Sequence, residues 1–216
     1  MKKILILLAL SLTVAISAQK KITKGIIVSK QTLTSDNDQA NQQFAMMGDM
    51  KTTTFFSGTK SRSELSNPMS GDVVTITDSK SGEVLMLMDN PMLGKKYMLQ
   101  KTEVTAEDLK NIKITATGKT KVVLGYTCKQ YIVSGEVQGQ TIDMDLFTTE
   151  AITIASQQTA MLGDKLKGFP LYSVMKVNQM GVNMTVTTEV TEIKKEVAVD
   201  AKKFSMTPPE AYEKMN

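Results

Sequence analysis

The residues able to do chemistry are few, and most lack a partner. Cys128 is the single cysteine, and the chain has no His at all. Without His, the commonest general base and the commonest metal ligand are gone, so Ser-His-Asp, Cys-His and His-containing zinc chemistry are excluded. One Cys makes neither an internal disulfide nor a CxxC centre. Cys128 lies in an apolar stretch between Tyr126 and Tyr131, as a small buried hydrophobe would. Asp143 and Asp145 could form a carboxylate pair. They alternate with Ile142, Met144 and Leu146, which makes them the solvated face of a strand. Asp36-Asn37-Asp38 resembles the opening of a calcium loop but lacks its Gly and distal Glu. These features predict a protein that is not an enzyme and holds no metal or cofactor.

Two features point instead to binding. The chain has 16 Met, and Met46, Met47, Met50, Met86, Met88, Met92 and Met98 crowd its first half. Met is flexible and polarizable, so it suits an apolar groove that accepts ligands of varied shape; it also fills a core poor in aromatics. Arg62 is the only arginine beside 25 Lys, and it offers a planar donor fork that Lys lacks. Arg62, Met86, Met88, Met46 and Met47 are therefore the candidate ligand-binding residues.

The elements that would position them start with a leader. Met1-Lys2-Lys3, the uncharged run Ile4–Ile16 and Ser17-Ala18 follow the order of a secretory signal, with cleavage predicted after Ala18. The run is too short for a comfortable membrane span, which needs about 20 residues. Residues 1–18 are thus read as signal peptide and 19–216 as one domain, exported to the periplasm or beyond and soluble. Losing Lys2 and Lys3 leaves 24 basic against 22 acidic residues. The remaining Lys are scattered and aromatics are only 5%, which does not fit nucleic-acid binding.

Period-2 alternation recurs through the rest, rich in Thr and Val. Strands are expected at 24–33, 52–56, 60–66, 72–77, 84–88, 96–99, 112–117, 121–124, 128–137, 141–147, 171–179 and 182–191, parted by turns such as Ser57-Gly58 and Asn90-Pro91. After Thr191 the phase shifts, which predicts a bulge or turn near Glu192–Lys195. Val84-Leu85-Met86-Leu87-Met88 is apolar on both faces and should be covered on both. Helices are expected at 105–109 and 151–167, and 38–50 is read as either a helix or a mobile loop. The fold class is mainly β, a curved antiparallel sheet forming an open half-barrel with two or three short helices on its concave face.

The run Gly125-Tyr126-Thr127-Cys128-Lys129-Gln130-Tyr131, together with Gly58-Thr59-Lys60-Ser61-Arg62-Ser63-Glu64 and the closing Phe204…Pro208-Pro209…Tyr212, resembles exported bacterial proteins grouped as domain of unknown function 4412. More distantly, the order of elements is similar to periplasmic lipoprotein carriers of the LolA/LolB type. That resemblance implies a half-barrel with helices over an apolar concave face that takes acyl chains, and an early-strand Arg, here Arg62, that helps hold the helical lid. Arg62 lacks the aromatic neighbours those carriers show. The expected function is a non-enzymatic exported protein binding a hydrophobic or lipid-like ligand. The alternative is a structural or protein-interaction module of the envelope with a filled core.

Overall fold

The structure is a computed structural model, and it describes residues 21–67, 71–101, 105, 107, 109–137, 140–154, 156–160, 162–179 and 181–215. The expected signal peptide, residues 1–18, and part of the expected 105–109 helix lie outside these residues. Around the latter, Leu109 donates its N–H to the Thr105 carbonyl and the chain continues in turns to Ile112.

Twelve strands form one open sheet: β1 (Lys24–Ser35), β2 (Met50–Ser57), β3 (Lys60–Asn67), β4 (Gly71–Asp78), β5 (Glu83–Asn90), β6 (Gly94–Lys101), β7 (Lys113–Val123), β8 (Tyr126–Val137), β9 (Gln140–Thr149), β10 (Phe169–Gln179), β11 (Val182–Lys195) and β12 (Glu213–Lys214). Their spatial order is β12-β6-β5-β4-β3-β2-β1-β11-β10-β9-β8-β7. Two hairpin meanders, β1 to β6 and β7 to β11, therefore join through the β1–β11 ladder. Every pairing is antiparallel except the short β12–β6 contact. Turn chemistry explains the meanders, because tight connections supply Gly where φ is positive, as at Gly58 and Gly82.

The phase change expected near Glu192 is a bulge at Thr191. Val28 pairs with Glu192, but the next residue, Ser29, pairs with Val190. The two strands expected at 112–117 and 121–124 are one strand, β7. Its ladder to β8 breaks between Ala116 and Thr120, where Gly118 takes φ 77°. Such an insertion lets one strand span what local pattern divides in two.

Among the described residues one helix is well formed, α1 (Asp38–Met47). The Asn37 side chain caps it, accepting from the Ala40 N–H at 3.0 Å. Gly48 at φ 67° ends it three residues before the expected Met50, donating its N–H to the Phe44 carbonyl. Asp36-Asn37-Asp38 thus serves as a cap. The helix expected over 151–167 is a correction. Among its described residues, Gln157–Ala160 alone makes an α-turn and Gly163–Lys165 a 3₁₀ turn. After β9 the chain turns at Glu150–Ala151, Ile152 bridges Ile22 in parallel, and Gly163 takes φ 53°. Ala151, Ile152, Ile154, Leu162 and Leu166 are all buried, so this segment works as an apolar plug.

Three apolar clusters result. Ile27, Phe56, Val190, Ile22, Ile152 and Leu171 belong to the first. The second places Leu162 and Leu166 against Val133, Ile142, Met144 and Leu146. The third holds Ile76, Leu85 and Leu87, with Val74, Tyr97, Met206 and Tyr212 packed on it. Gly135 marks how closely chain segments approach. It has φ 147°, and a β-carbon there would lie 2.0 Å from the Asn111 carbonyl oxygen.

Candidate functional site

Strand register decides which candidates can share a site. Paired residues in an antiparallel ladder project to the same face. Leu85 pairs with Ile76, Ile76 with Arg62, and Arg62 with Phe55. Met86 pairs with Thr75 and Met98, and Thr75 pairs with Ser63. Met88 pairs with Val73, and Val84 with Thr77. Arg62 therefore lies on one face of the sheet, and Met86 and Met88 lie on the other. The expected grouping of all five residues in one site is corrected accordingly.

On the Arg62 face, β5 presents Leu85 and Leu87, both buried. The chain's own C-terminal tail covers them through Met206 and Tyr212. An ionic latch holds the tail. Arg62 Nε donates to Glu64 at 2.6 Å, and its Nη1 reaches the Lys203 carbonyl oxygen at 3.4 Å. Lys203 Nζ contacts Glu64 at 3.2 Å and sits 4.0 Å above the Phe55 ring. Burial pushes the Glu64 carboxyl upward, yet the hydrogen bonds from Arg62 and Lys203 prevail and hold it below its ordinary value of 4.5. Phe204, one residue further, is buried. Beyond it, Glu213 and Lys214 pair in parallel with Lys96 and Tyr97.

The Met86 face is different. Val73, Val84, Met86, Met88 and Met98 are half-buried, so β5 has one covered face and one partly open face. The expectation that both faces of Val84–Met88 are covered holds for only one of them. The open face runs in register across the sheet. Ser63 pairs with Thr54, Thr54 with Ile27 and Ile27 with Ile193. Further along the same face come Leu33, Val186, Met175, Met144, Val133 and Ile114, paired in succession. There the Leu162–Leu166 segment seals it.

Met46 and Met47 sit on α1, which packs on β1, four strands from β5. Met46 is 83% exposed. The structure does not bring this pair to Met86 and Met88 through any described contact.

Cys128 is fully buried, and its Sγ lies 3.6 Å from the Tyr126 carbonyl oxygen. Burial pushes its thiol up to about 11, which keeps it protonated and poorly nucleophilic. Asp145 accepts two hydrogen bonds from Gln130 Nε2, both at 2.9 Å, and Asp143 pairs with Lys176 at 3.3 Å. Both carboxylates are thus engaged by neighbours on their own face. Sequence reasoning missed the Lys203–Glu64 contact and the Tyr212 packing. The Phe204…Pro208-Pro209…Tyr212 pattern was the available signal, but only the tertiary path shows that it wraps onto β3–β6.

No curated protein matches the chain significantly. Among solved structures it is similar to PNGF-II, with 17% identity, 89% of this chain and 31% of that chain covered, and a TM-score of 0.47. It is also similar to MucB (9% identity, 88% and 60% covered, TM-score 0.43) and to the Mycobacterium tuberculosis lipoprotein LppX (8% identity, 86% and 94% covered, TM-score 0.37). The chain spans about a third of PNGF-II and three fifths of MucB. A family model covers most of the sheet, from α1 to the tail that reaches Tyr212: the chain belongs to the domain of unknown function family DUF4412, matched over residues 39–212.

Proposed function

We propose that the Met86 face binds the apolar part of a lipid-like ligand, and that the protein is an exported carrier or holder with no catalytic role. The observation that carries this reading is the half-buried row Val73, Val84, Met86, Met88 and Met98, on the same face as the sealed row Met144–Val133. In this proposal the sheet curves as a half-barrel about that face. The Leu162–Leu166 segment fills one half of the concavity, and the other half receives acyl chain. Unbranched Met side chains adjust to chains of different length at little rotamer cost. Half-buried Ser63, whose hydroxyl shares a hydrogen bond with the Thr54 hydroxyl at 2.9 Å, keeps further capacity to meet an ester or headgroup oxygen. Arg62 acts from the opposite face, holding the tail against β3 and so keeping the back of the sheet rigid.

Native mass spectrometry of the protein purified from its own envelope tests the reading. A bound mass that extracts into organic solvent is expected. Met86→Lys with Met88→Lys should abolish it while the protein stays folded. A ligand-free wild-type protein overturns the proposal. Global unfolding of the double variant would instead favour the filled-core envelope module.

A further inference from the structure

The Met86 face carries a second pattern beside its Met row. One level of the sheet reads Met88, Val73, Leu65, Thr52, Ser29 and Val190, paired in succession. The level on one side of it brings Thr54 and Ser63 onto the same face, and the level on the other brings Gln31 and Thr188. Apolar side chains therefore pass into neutral polar ones as the face runs from β5 toward β11.

Ser29, Gln31, Thr52, Thr54, Ser63 and Thr188 are all half-buried. Four of them satisfy one another. Thr54 and Ser63 share a hydrogen bond at 2.9 Å, and Gln31 Nε2 donates to the Thr188 hydroxyl at 3.3 Å. Ser29 and Thr52 stand opposite each other across the β1–β2 ladder. Their hydroxyls have no side-chain hydrogen-bond partner among the described residues. Each can donate one hydrogen bond and accept two.

Charge is sorted the other way. By the alternation of the same strands, Lys30, Arg62, Glu64, Asp78, Asp89 and Glu189 stand on the reverse face. On β1 to β6, β10 and β11, Lys96 and Lys195 are the exceptions among the described residues, and both are engaged away from Ser29 and Thr52. Lys96 Nζ binds Glu213 at 2.5 Å on the sheet border, and Lys195 Nζ lies 5.0 Å from the Tyr126 ring centroid at the end of β11. A phosphate set down beside Thr52 would lack a cation. Taking an unpaired charge out of water costs far more than taking out a hydroxyl or an ester.

We infer that the lipid held on this face is uncharged, with a polar part built of hydroxyls and esters, as in an acylglycerol. Ser29 and Thr52 hydrogen-bond that part, and the chain runs over Leu65 and Val73 to the Met row. Thr52 and Met88 are three strand spacings apart, about 14 Å, within the length of an oleoyl chain. This inference rests on the acyl-chain reading of the same face and adds the ligand's charge class.

Oleoylglycerol and oleoyl-lysophosphatidate share one acyl chain and differ by a phosphate. Each is titrated, below its micelle concentration, into protein labelled with ¹³C-methyl methionine. The Met86, Met88 and Met98 methyl signals report occupancy of the face. Oleoylglycerol should bind at least about tenfold more tightly than the phosphate. Thr52→Val with Ser29→Ala removes both hydroxyls and should weaken oleoylglycerol about threefold to tenfold. Thr52→Lys supplies an ammonium and should tighten lysophosphatidate about tenfold. Equal or tighter binding of the phosphate by the wild-type protein would overturn the inference, as would undiminished oleoylglycerol affinity in the double variant. Either result leaves the acyl-chain reading standing, whereas no methyl shift with either lipid overturns both.

Discussion

The two halves of the sheet bury opposite faces. Along β8–β10 the sealed face carries Val133, Met144 and Leu146, covered by Leu162 and Leu166. Along β3–β6 the sealed face is the reverse one, with Ile76, Leu85 and Leu87 under Met206 and Tyr212. The first cover is an internal connection anchored at both ends, and its Leu162 is wholly buried. The second is a terminal tail, anchored by the Arg62–Glu64–Lys203 latch and the brief β12 pairing. An antiparallel sheet can leave one face open where its other face is packed. By switching which face is hidden, this chain leaves the Met86 side of its first half partly open without losing a core.

Variants can break that contrast in order of expected size. Leu162→Ala removes the central plug of the sealed second half and should cost about 3 kcal/mol, read as a lower urea midpoint. Tyr212→Ala strips part of the tail from Leu85 and Leu87. It should cost about 1–2 kcal/mol, with faster hydrogen exchange confined to β5 and β6 and little change in β8–β10. Uniform exchange across both halves would show that the tail is not a separate cover. Met86→Lys with Met88→Lys places charge on half-buried positions whose long stems can still lie along the sheet. A loss of at most about 1 kcal/mol in thermal melts is expected. A loss near that of Leu162→Ala would mean both faces of β5 are core.

The smallest effect is electrostatic. The Glu64 carboxyl is held below its ordinary value of 4.5 in the folded protein. Its contribution is therefore complete above that pH and fades as pH falls through the lowered value. Because the pair is about a third exposed, the gain is under about 1 kcal/mol. Protection factors in the tail, with the intrinsic pH dependence of amide exchange divided out, should fall as pH drops from 5 toward 3, and Glu64→Gln should flatten that dependence. Unchanged pH dependence in the variant would place the acid sensitivity elsewhere.

Much of the sheet was legible because alternation is local. The phase change after Thr191 gave the bulge to within a residue or two, and Ile142, Met144 and Leu146 declared their buried face. The 151–167 segment misled because its apolar residues are spaced loosely enough for a helix, while its bridge to Ile22 depends on a partner far away in sequence. The site was less legible for a related reason. Arg62 and Met86 are both even-numbered, but parity has no meaning between strands until register is known. Register here follows from turns whose lengths differ by one or two residues.

The β12 segment has a consequence for assembly. Glu213 and Lys214 occupy backbone positions beside Lys96 and Tyr97, and the Met215 N–H bonds the Tyr97 carbonyl. The middle of one sheet border is thus already taken by the chain itself. The other border, β7, presents Lys113, Lys119 and Lys121, whose like charges repel a second copy laid alongside. A growing stack needs two receptive borders, one to give and one to accept. Each border of this twelve-stranded sheet thus carries a feature that opposes edge-to-edge growth, a short strand of the chain itself on one side and a row of Lys on the other.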